Sequence, residues 1–82
     1  MNIKKIHICY YAALQEQRGL KQETLETMAA TAQDLYEELK SKFHFNFPSN
    51  LLKIAINNEF VYWTTPLKSG DSIVFIPPVA GG

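Results

Sequence analysis

Hydrophobic and polar residues alternate along residues 3–10, the first segment of the chain with a clear pattern. Ile6, Ile8 and Tyr10 would lie on one side of an extended chain, and polar side chains would lie on the other. A period of two residues is typical of a β-strand with one face buried. The sequence therefore predicts a first strand in this segment.

Two weaker patterns follow between residues 11 and 28. Residues 11–17 are mostly good helix formers, and Gly19 beyond them is a residue type that commonly ends helices. Residues 21–28 then alternate again, with Leu25 among polar and β-branched neighbours. We expect a short helix and, after it, a strand at the edge of a sheet.

The clearest helical pattern in the chain spans residues 32–43, where apolar residues recur at helical spacing. Thr31 precedes this pattern as a typical N-cap residue, and Asp34 follows in the first turn. Acidic side chains come early and basic side chains late, as the helix dipole favours. We expect this segment to be the main helix of the fold.

A hairpin is predicted in the second half of the chain. Residues 53–56 and 59–62 are strand-like runs, and Asn57 and Asn58 separate them. Asparagine tolerates the positive φ angles that a two-residue hairpin turn requires. We therefore expect the two runs to pair antiparallel.

Residues 72–76 are apolar on both sides of the predicted strand, which is typical of a central strand. One main helix can cover only one face of a small sheet, so the other face is expected to bind a partner. Periodicity leaves two assignments open, because either Ile73 and Phe75 or the alternate pair can point outward. Phe60 on the hairpin would extend the outward patch. The competing interpretation is that segment 43–48 covers this face.

Composition narrows the classes of function. The chain has 82 residues, 46% of them hydrophobic, which suits one small domain. Eight basic and eight acidic residues balance without long blocks, so we expect no nucleic-acid partner. Cys9 is the only cysteine, and we expect no disulfide and no metal site. No segment resembles a signal peptide or a membrane span, so we expect a cytoplasmic protein with no membrane partner.

The final segment, residues 77–82, combines two prolines with two terminal glycines. Proline has a fixed φ and no backbone donor, so Pro77 and Pro78 are expected to leave the sheet as an extended, solvated stem. Glycine has no Cβ, so Gly81 and Gly82 can enter a slot that is too narrow for other residues. The carboxylate of Gly82 would then reach a buried reaction centre. The alternative is an incidental, frayed end.

Three segments carry a family resemblance. Residues 75–82 (FIPPVAGG) resemble the apolar-Pro-Pro-Val-x-Gly-Gly ending of the MoaD family, the small sulfur-carrying subunits of molybdopterin synthase. Residues 55–61 and 11–19 also resemble matching segments of that family, and the resemblance runs nearly end to end. The chain departs from the family at Gln15, where arginine is usual. The change removes the positively charged guanidinium group and its hydrogen-bond donors.

The order of the predicted elements resembles the fold of the same family. It implies an α+β, ubiquitin-like β-grasp fold with a mixed sheet of about four to five strands and one main helix on one face. The folded domain would span residues 1–76. Residues 77–82 would form an extended tail.

The resemblance also implies a mechanism centred on Gly82. An ATP-dependent, MoeB-like enzyme would adenylate the Gly82 carboxylate, and a sulfurtransferase would convert the acyl-adenylate to a thiocarboxylate, a sulfur nucleophile. The tail would then enter a MoaE-like large subunit, in a heterotetramer of two small and two large subunits. There it would donate sulfur to cyclic pyranopterin monophosphate to form molybdopterin. The chain would be non-catalytic alone and bind no cofactor, since the activating enzyme uses the ATP.

The residues of the implied docking surface follow from the same resemblance. The family docks through an apolar surface whose matching positions here are Tyr11, Phe60 and Ile76. This match selects Val74 and Ile76 as the outward pair of the last strand. The other residues expected to contact the partner belong to the tail: Pro77, Pro78, Val79, Ala80 and Gly81.

Three other functions stay open from the sequence. ThiS, the sulfur carrier for the thiamin thiazole, also ends in Gly-Gly but is shorter and lacks a segment like residues 11–19. Ubiquitin-like protein modifiers share both the terminus and the fold. A passive β-grasp binding module with an incidental Gly-Gly end is the last alternative.

Overall fold

The computed structural model describes residues 3–78. Two helices, five strands and one short 3₁₀ turn follow one another along these residues. In chain order they are β1 (Lys4–Tyr10), α1 (Ala12–Arg18), β2 (Gln22–Thr27), α2 (Ala32–Phe43), the 3₁₀ turn (Ser49–Leu51), β3 (Lys53–Ile56), β4 (Glu59–Val61) and β5 (Ser72–Ile76).

All five strands belong to one sheet with the order β2-β1-β5-β3-β4. β1 and β5 run parallel to each other, and the remaining neighbours are antiparallel, so the sheet is mixed. β5 lies in the middle and β2 lies at one edge, as the sequence predicted. The α+β class and the mixed sheet are thus confirmed.

The helices begin and end at residues whose side chains favour those positions. The hydroxyl oxygen of Thr31 accepts a hydrogen bond from the backbone N–H of Asp34 at 3.2 Å, which caps α2. Gly19 ends α1 with a φ of 81°, in the left-handed region that glycine enters without strain. Both helices predicted from the sequence are therefore present.

The turn between β3 and β4 is built from the two predicted asparagines. Asn57 and Asn58 have φ angles of 53° and 72°, as a two-residue hairpin turn requires. The Asn57 side chain also donates to a carboxylate oxygen of Asp71 and accepts from the backbone N–H of Ser72, at 3.1 and 2.9 Å. These bonds fix the hairpin to the start of β5.

The hydrophobic core lies between the sheet and α2. Tyr36 of α2 is fully buried, and its ring packs at 5.3 Å from Phe75 and at 5.6 Å from Trp63, measured between centroids. Burial and the nearby charge of Glu37 raise the pKa of Tyr36 to about 12, so its hydroxyl stays protonated. The other large core side chains are Ile6, Ile8, Tyr10, Leu14, Leu35, Leu39, Ile54 and Ile73.

Segment 43–48 packs on the core side of the sheet. Phe45 is buried, and its ring centroid lies 5.8 Å from that of Tyr10 and 6.2 Å from that of Tyr36. The Tyr36 hydroxyl donates a hydrogen bond to the backbone carbonyl of Phe47. The segment therefore fills the core, and it does not cover the opposite face of the sheet.

The beginning of the predicted tail differs from expectation. Pro77 is buried and Pro78 is exposed. The expectation of a solvated two-proline stem is therefore wrong for Pro77, which is packed at the end of β5 and lines a groove together with Tyr11 and Ile76. The solvated part of the stem begins no earlier than Pro78.

The two helices within residues 3–78 have 7 and 12 residues. Neither helix in this range is long and apolar enough to cross a membrane. In the same range, no three His, Cys, Asp or Glu side chains are grouped so that they can hold a metal ion.

Candidate functional site

The central strand β5 separates two faces of the sheet. Ile73 and Phe75 are fully buried against α2, whereas Val74 and Ile76 are half-buried and point to the opposite side. The two assignments that periodicity left open are thereby resolved. The outward pair is the one that the family resemblance selected.

The strand register aligns several residues beside this outward pair. Val74 lies opposite Ala55 of β3, and Ala55 lies opposite Phe60 of β4, so these three side chains form a row across the sheet. Ile76 lies opposite Lys53 in the neighbouring row. We call this surface the outer face, defined by its five residues: Lys53, Ala55, Phe60, Val74 and Ile76.

Phe60 is the most prominent side chain of the outer face. It is 71% exposed, which is unusual for phenylalanine in a small domain. Tyr62, just beyond the end of β4, is 84% exposed. An exposed apolar patch next to a well-filled core indicates a surface that binds another molecule. Tyr62 was not among the docking residues predicted from the sequence.

A groove adjoins the outer face where β5 ends. It has a volume of about 480 Å³. We call it the tail groove. Its lining residues are Tyr11, Ala12, Ala13, Glu16, Ile76, Pro77 and Pro78.

The tail groove brings together four of the predicted site residues. Tyr11 is 49% exposed and lies on the α1 side of the groove, while Ile76, Pro77 and Pro78 lie on the β5 side. Phe60 lies elsewhere, on the edge strand β4. The predicted docking residues therefore fall into two adjoining regions, the tail groove and the outer face, with Ile76 in both.

The α1 wall of the tail groove begins at a strained residue. Ala12 has a φ of 50°, a left-handed conformation that costs a residue with a Cβ about 1–2 kcal/mol. Leu14 of α1 is fully buried and holds the helix on the core. The burial of Leu14 thus offsets the strain at Ala12. Ala12 lies where the chain turns from β1 into the wall of the tail groove.

A polar network fixes the other end of α1. The Arg18 guanidinium donates two hydrogen bonds to the Glu23 carboxylate, at 2.7 and 2.8 Å, and the Tyr10 hydroxyl donates a third at 2.8 Å. The same guanidinium lies 3.9 Å from the centre of the Phe43 ring. Within residues 3–78, Arg18 and Glu23 form the one ion pair seen.

This network shifts the protonation of its members. The two hydrogen bonds from Arg18, and then the one from Tyr10, hold the pKa of Glu23 below the usual range for a carboxyl group. Burial and the hydrogen bond to Glu23 raise the pKa of Tyr10. Sequence reasoning missed the network because its members come from three different elements, and no periodicity links them.

Cys9 and His7 lie on the same side of the sheet as the outer face, on β1. Cys9 is half-buried, and its sulfur lies 3.8 Å from Nε2 of His7. The two ring nitrogens of His7 are within hydrogen-bond distance of Gln22 and Thr24 on β2. The histidine is therefore engaged with the neighbouring strand.

The last four predicted site residues lie outside the described part of the chain. They are Val79, Ala80, Gly81 and Gly82. The described residues do supply the surface from which these four residues continue, since Pro78 borders the tail groove.

Comparison with known proteins adds the family. A family model described as the ThiS family matches residues 8–82. The chain belongs to the ThiS family. The match includes the end of β1, both helices, the central strand β5 and Gly82.

One curated relative is similar over almost its whole length. The molybdopterin synthase sulfur carrier subunit of Haemophilus influenzae is 31% identical over 80 residues. The alignment covers 94% of this chain and 99% of that protein. This member of the ThiS family is thus MoaD-like in sequence.

Two solved structures illustrate the fold. The complex of subunits 1 and 2 of the molybdopterin-converting factor from Helicobacter pylori contains a chain with a TM-score of 0.64 and 26% identity, covering 95% of this chain and 99% of that one. The small archaeal modifier protein 1 from Methanosarcina acetivorans has a TM-score of 0.78 and 22% identity, with both chains covered fully, 100% each. The expected ubiquitin-like β-grasp fold is confirmed.

Proposed function

We propose that this chain is the sulfur carrier subunit of a molybdopterin synthase. The observation that carries the proposal is the relative from Haemophilus influenzae, which bears that name and is covered over 99% of its length. The family match through Gly82 and the exposed outer face add support.

The proposed chemistry takes place at the Gly82 carboxylate. A carboxylate is a poor electrophile, so an adenylating enzyme of the MoeB kind first attaches AMP from ATP and releases pyrophosphate. The persulfide sulfur of a sulfurtransferase then attacks the carbonyl carbon and displaces AMP, and a thiol reductant cleaves the resulting acyl disulfide to leave a thiocarboxylate. Its anionic sulfur attacks cyclic pyranopterin monophosphate, and water then hydrolyses the acyl–sulfur bond, which leaves the sulfur on the precursor and restores the Gly82 carboxylate. Two such transfers give the dithiolene of molybdopterin. The chain itself supplies no acid or base in these steps.

The described residues would present the tail to a MoaE-like large subunit. The outer face and the tail groove form one continuous apolar surface through Ile76, and such surfaces favour protein partners. Pro77 is buried at the end of β5, so the body holds the chain up to this residue. Holding the chain there reduces the conformational entropy that would be lost on docking and would help to keep the sulfur close to the substrate.

The Helicobacter pylori complex supports a partner of this kind, since it contains subunits 1 and 2 of the molybdopterin-converting factor. Each small subunit would dock on one large subunit, in an assembly of two copies of each. The adenylating enzyme and the sulfurtransferase would be further, transient partners. We place the protein in the cytoplasm, where ATP is available.

Intact-mass measurement tests the carrier function. The purified chain is incubated with ATP, the adenylating enzyme of its source organism and a sulfur source; the expected result is one oxygen replaced by sulfur at Gly82. A variant that lacks Gly81 and Gly82 is the matched control, and it should unfold at the same denaturant concentration but gain no sulfur. An unchanged mass for the full chain would contradict the proposal.

Reconstitution then identifies the pathway. Adding the large subunit and cyclic pyranopterin monophosphate to the thiocarboxylated chain should produce the dithiolene of molybdopterin. Thiazole synthesis in place of dithiolene formation would assign the chain to thiamin biosynthesis. Adducts on lysines of other proteins, joined through Gly82, would assign it to the protein modifiers.

A further inference from the structure

A single lysine lies among the apolar side chains of the outer face. Lys53 of β3 is exposed, and it lies opposite Ile76 in the sheet register. Its ammonium nitrogen lies 6.0 Å from the centre of the Phe60 ring. Within residues 3–78, no carboxylate forms an ion pair with Lys53.

The other lysine on this side of the sheet differs from Lys53. Lys5 of β1 lies opposite Glu26 of β2 in the register, so a charge of opposite sign is its direct neighbour. Lys5 and Glu26 both lie toward the β2 edge of the sheet, away from Phe60. Lys53 is therefore the one lysine on the described strands that stands uncompensated within the apolar part of this side.

A partner that covers Phe60 and Ile76 must also remove water from the Lys53 ammonium, since the three residues are neighbours on adjacent strands. Burying an ammonium group without a counter-charge is strongly unfavourable, and a hydrogen-bonded carboxylate offsets much of the cost. The Phe60 ring offers only a weak cation–π contact at this distance.

We propose that the protein surface which covers the outer face presents an Asp or Glu carboxylate to Lys53, so that Lys53 selects the partner. The inference rests on the proposed function, because it takes the large subunit as the occupant of the face. The Lys53–carboxylate pair sets the identity and register of docking, while the apolar neighbours supply contact area.

An acidic protein surface fits these features better than nucleic acid or lipid. Phosphate-rich ligands are bound by clusters of basic residues, and the outer face has one cation within an apolar patch. The chain as a whole has a formal charge of zero. One cation surrounded by apolar groups matches a complementary surface with one acidic side chain.

Equilibrium binding to the large subunit from the same source organism tests this inference. The variants are Lys53→Met, which keeps most of the side-chain volume but removes the charge; Lys53→Glu, which reverses the charge; and Lys53→Arg, which keeps it. Lys68→Met is the matched control, because Lys68 is an exposed lysine in the loop before β5, at the end of the strand opposite to Ile76.

We expect Lys53→Met to weaken binding about tenfold or more and Lys53→Glu to weaken it about a hundredfold. Lys53→Arg should stay within about threefold of the parent chain, and Lys68→Met should match the parent. Added salt should weaken the parent complex more than the Lys53→Met complex, because the variant lacks one interfacial ion pair. Thermal unfolding of each variant should follow the parent curve, since the Lys53 side chain lies on the surface.

Three results would overturn the inference. Unchanged or tighter binding by Lys53→Met would mean that no carboxylate faces Lys53. Weakening by Lys53→Arg equal to that by Lys53→Met would mean that shape, and not charge, is recognised. Failure of the parent chain to bind the large subunit, despite normal thiocarboxylate formation, would remove the assumed occupant and with it the inference, while the carrier chemistry would stand.

Discussion

The two faces of the sheet use the same strands for different purposes. The inner face is filled by α2 and by a cluster of aromatic rings around Tyr36 and Phe75. The outer face carries Phe60 at 71% exposure, and within residues 3–78 no helix or loop packs over that ring. The inner face therefore carries the core, and the outer face is available for the proposed partner.

Neighbouring residues of β5 show this division most directly. Phe75 and Ile76 are adjacent in sequence and similar in hydrophobicity, yet the first is fully buried and the second lies on the outward side. Because successive side chains of a strand point to opposite faces, one short strand supplies both a core face and the proposed docking surface. Substitutions on the two faces should thus separate folding from binding.

The largest effect is expected on the inner face. Phe75→Ala should lower the free energy of unfolding by about 3–5 kcal/mol, because it leaves a cavity beside Tyr36 and Trp63. Val74→Ala, on the other side of the same strand, is the matched control and should cost about 1 kcal/mol or less. Urea unfolding of both variants measures the difference. Equal losses would mean that the two faces do not differ in their contribution to stability.

The reverse pattern is expected at Phe60. Phe60→Ala should change the free energy of unfolding by less than about 0.5 kcal/mol, yet weaken binding to the large subunit about tenfold or more. Met28→Ala removes another exposed apolar side chain, 55% accessible and adjacent to the edge strand β2, and should leave binding unchanged. Isothermal titration calorimetry measures the affinity of both variants for the large subunit, and urea unfolding measures their stability. Loss of stability without loss of affinity would place Phe60 with the core residues.

A smaller and pH-dependent effect is expected in the Arg18–Glu23 network. Glu23→Gln should lower the free energy of unfolding at neutral pH by about 1–2 kcal/mol, since it removes the charge that accepts from Arg18 and Tyr10. The folded-state pKa of Glu23 is depressed, so its contribution is present above the unfolded pKa and is lost as pH falls through the folded value.

The stability difference between the parent and Glu23→Gln should therefore shrink steadily in acid, below the ordinary glutamate pKa. Denaturant unfolding at a series of pH values measures this difference. Glu26→Gln on the same strand is the control, and its effect should be small at every pH. A difference that does not change with pH would show that the ion pair contributes little.

The smallest effect is expected in the hairpin turn. Asn58→Gly should raise the free energy of unfolding by about 0.5 kcal/mol, because Asn58 has a φ of 72° that glycine adopts without strain. Asn57→Gly should instead be destabilising, since it removes the side-chain bonds to Asp71 and Ser72. Thermal unfolding distinguishes the two, and neither should alter affinity if the outer face is unchanged. Stabilisation by both variants would show that the Asn57 bonds are unimportant.

Local sequence patterns predicted the elements of the fold well. The N-cap at Thr31, the turn at Asn57 and Asn58 and the helix end at Gly19 each depend on a residue and its immediate neighbours. Such preferences act within a few residues, so a single sequence reveals them. The central position of β5 followed from its apolar character on both sides.

Features that join distant segments were not predictable in this way. The Tyr10–Glu23–Arg18 network depends on how α1 is placed against β1 and β2, and burial of Pro77 depends on the groove beside Tyr11. The neighbours of Lys53 on the outer face follow from strand register, which the alternation of one strand does not set. Periodicity alone also left the outward pair of β5 unassigned, and the family resemblance made that choice.

The central place of β5 has a consequence for synthesis of the protein in the cell. The two strands that pair with β5, namely β1 and β3, are synthesised before it. In the sheet, the β1–β2 pair and the β3–β4 pair are joined only through β5. A nascent chain that has not yet released β5 from the ribosome therefore lacks the middle of its sheet, and the fold closes only after translation of nearly the whole domain. A prematurely terminated copy would be cleared by proteases as an unfolded chain, so it would not compete with the complete protein for its partners.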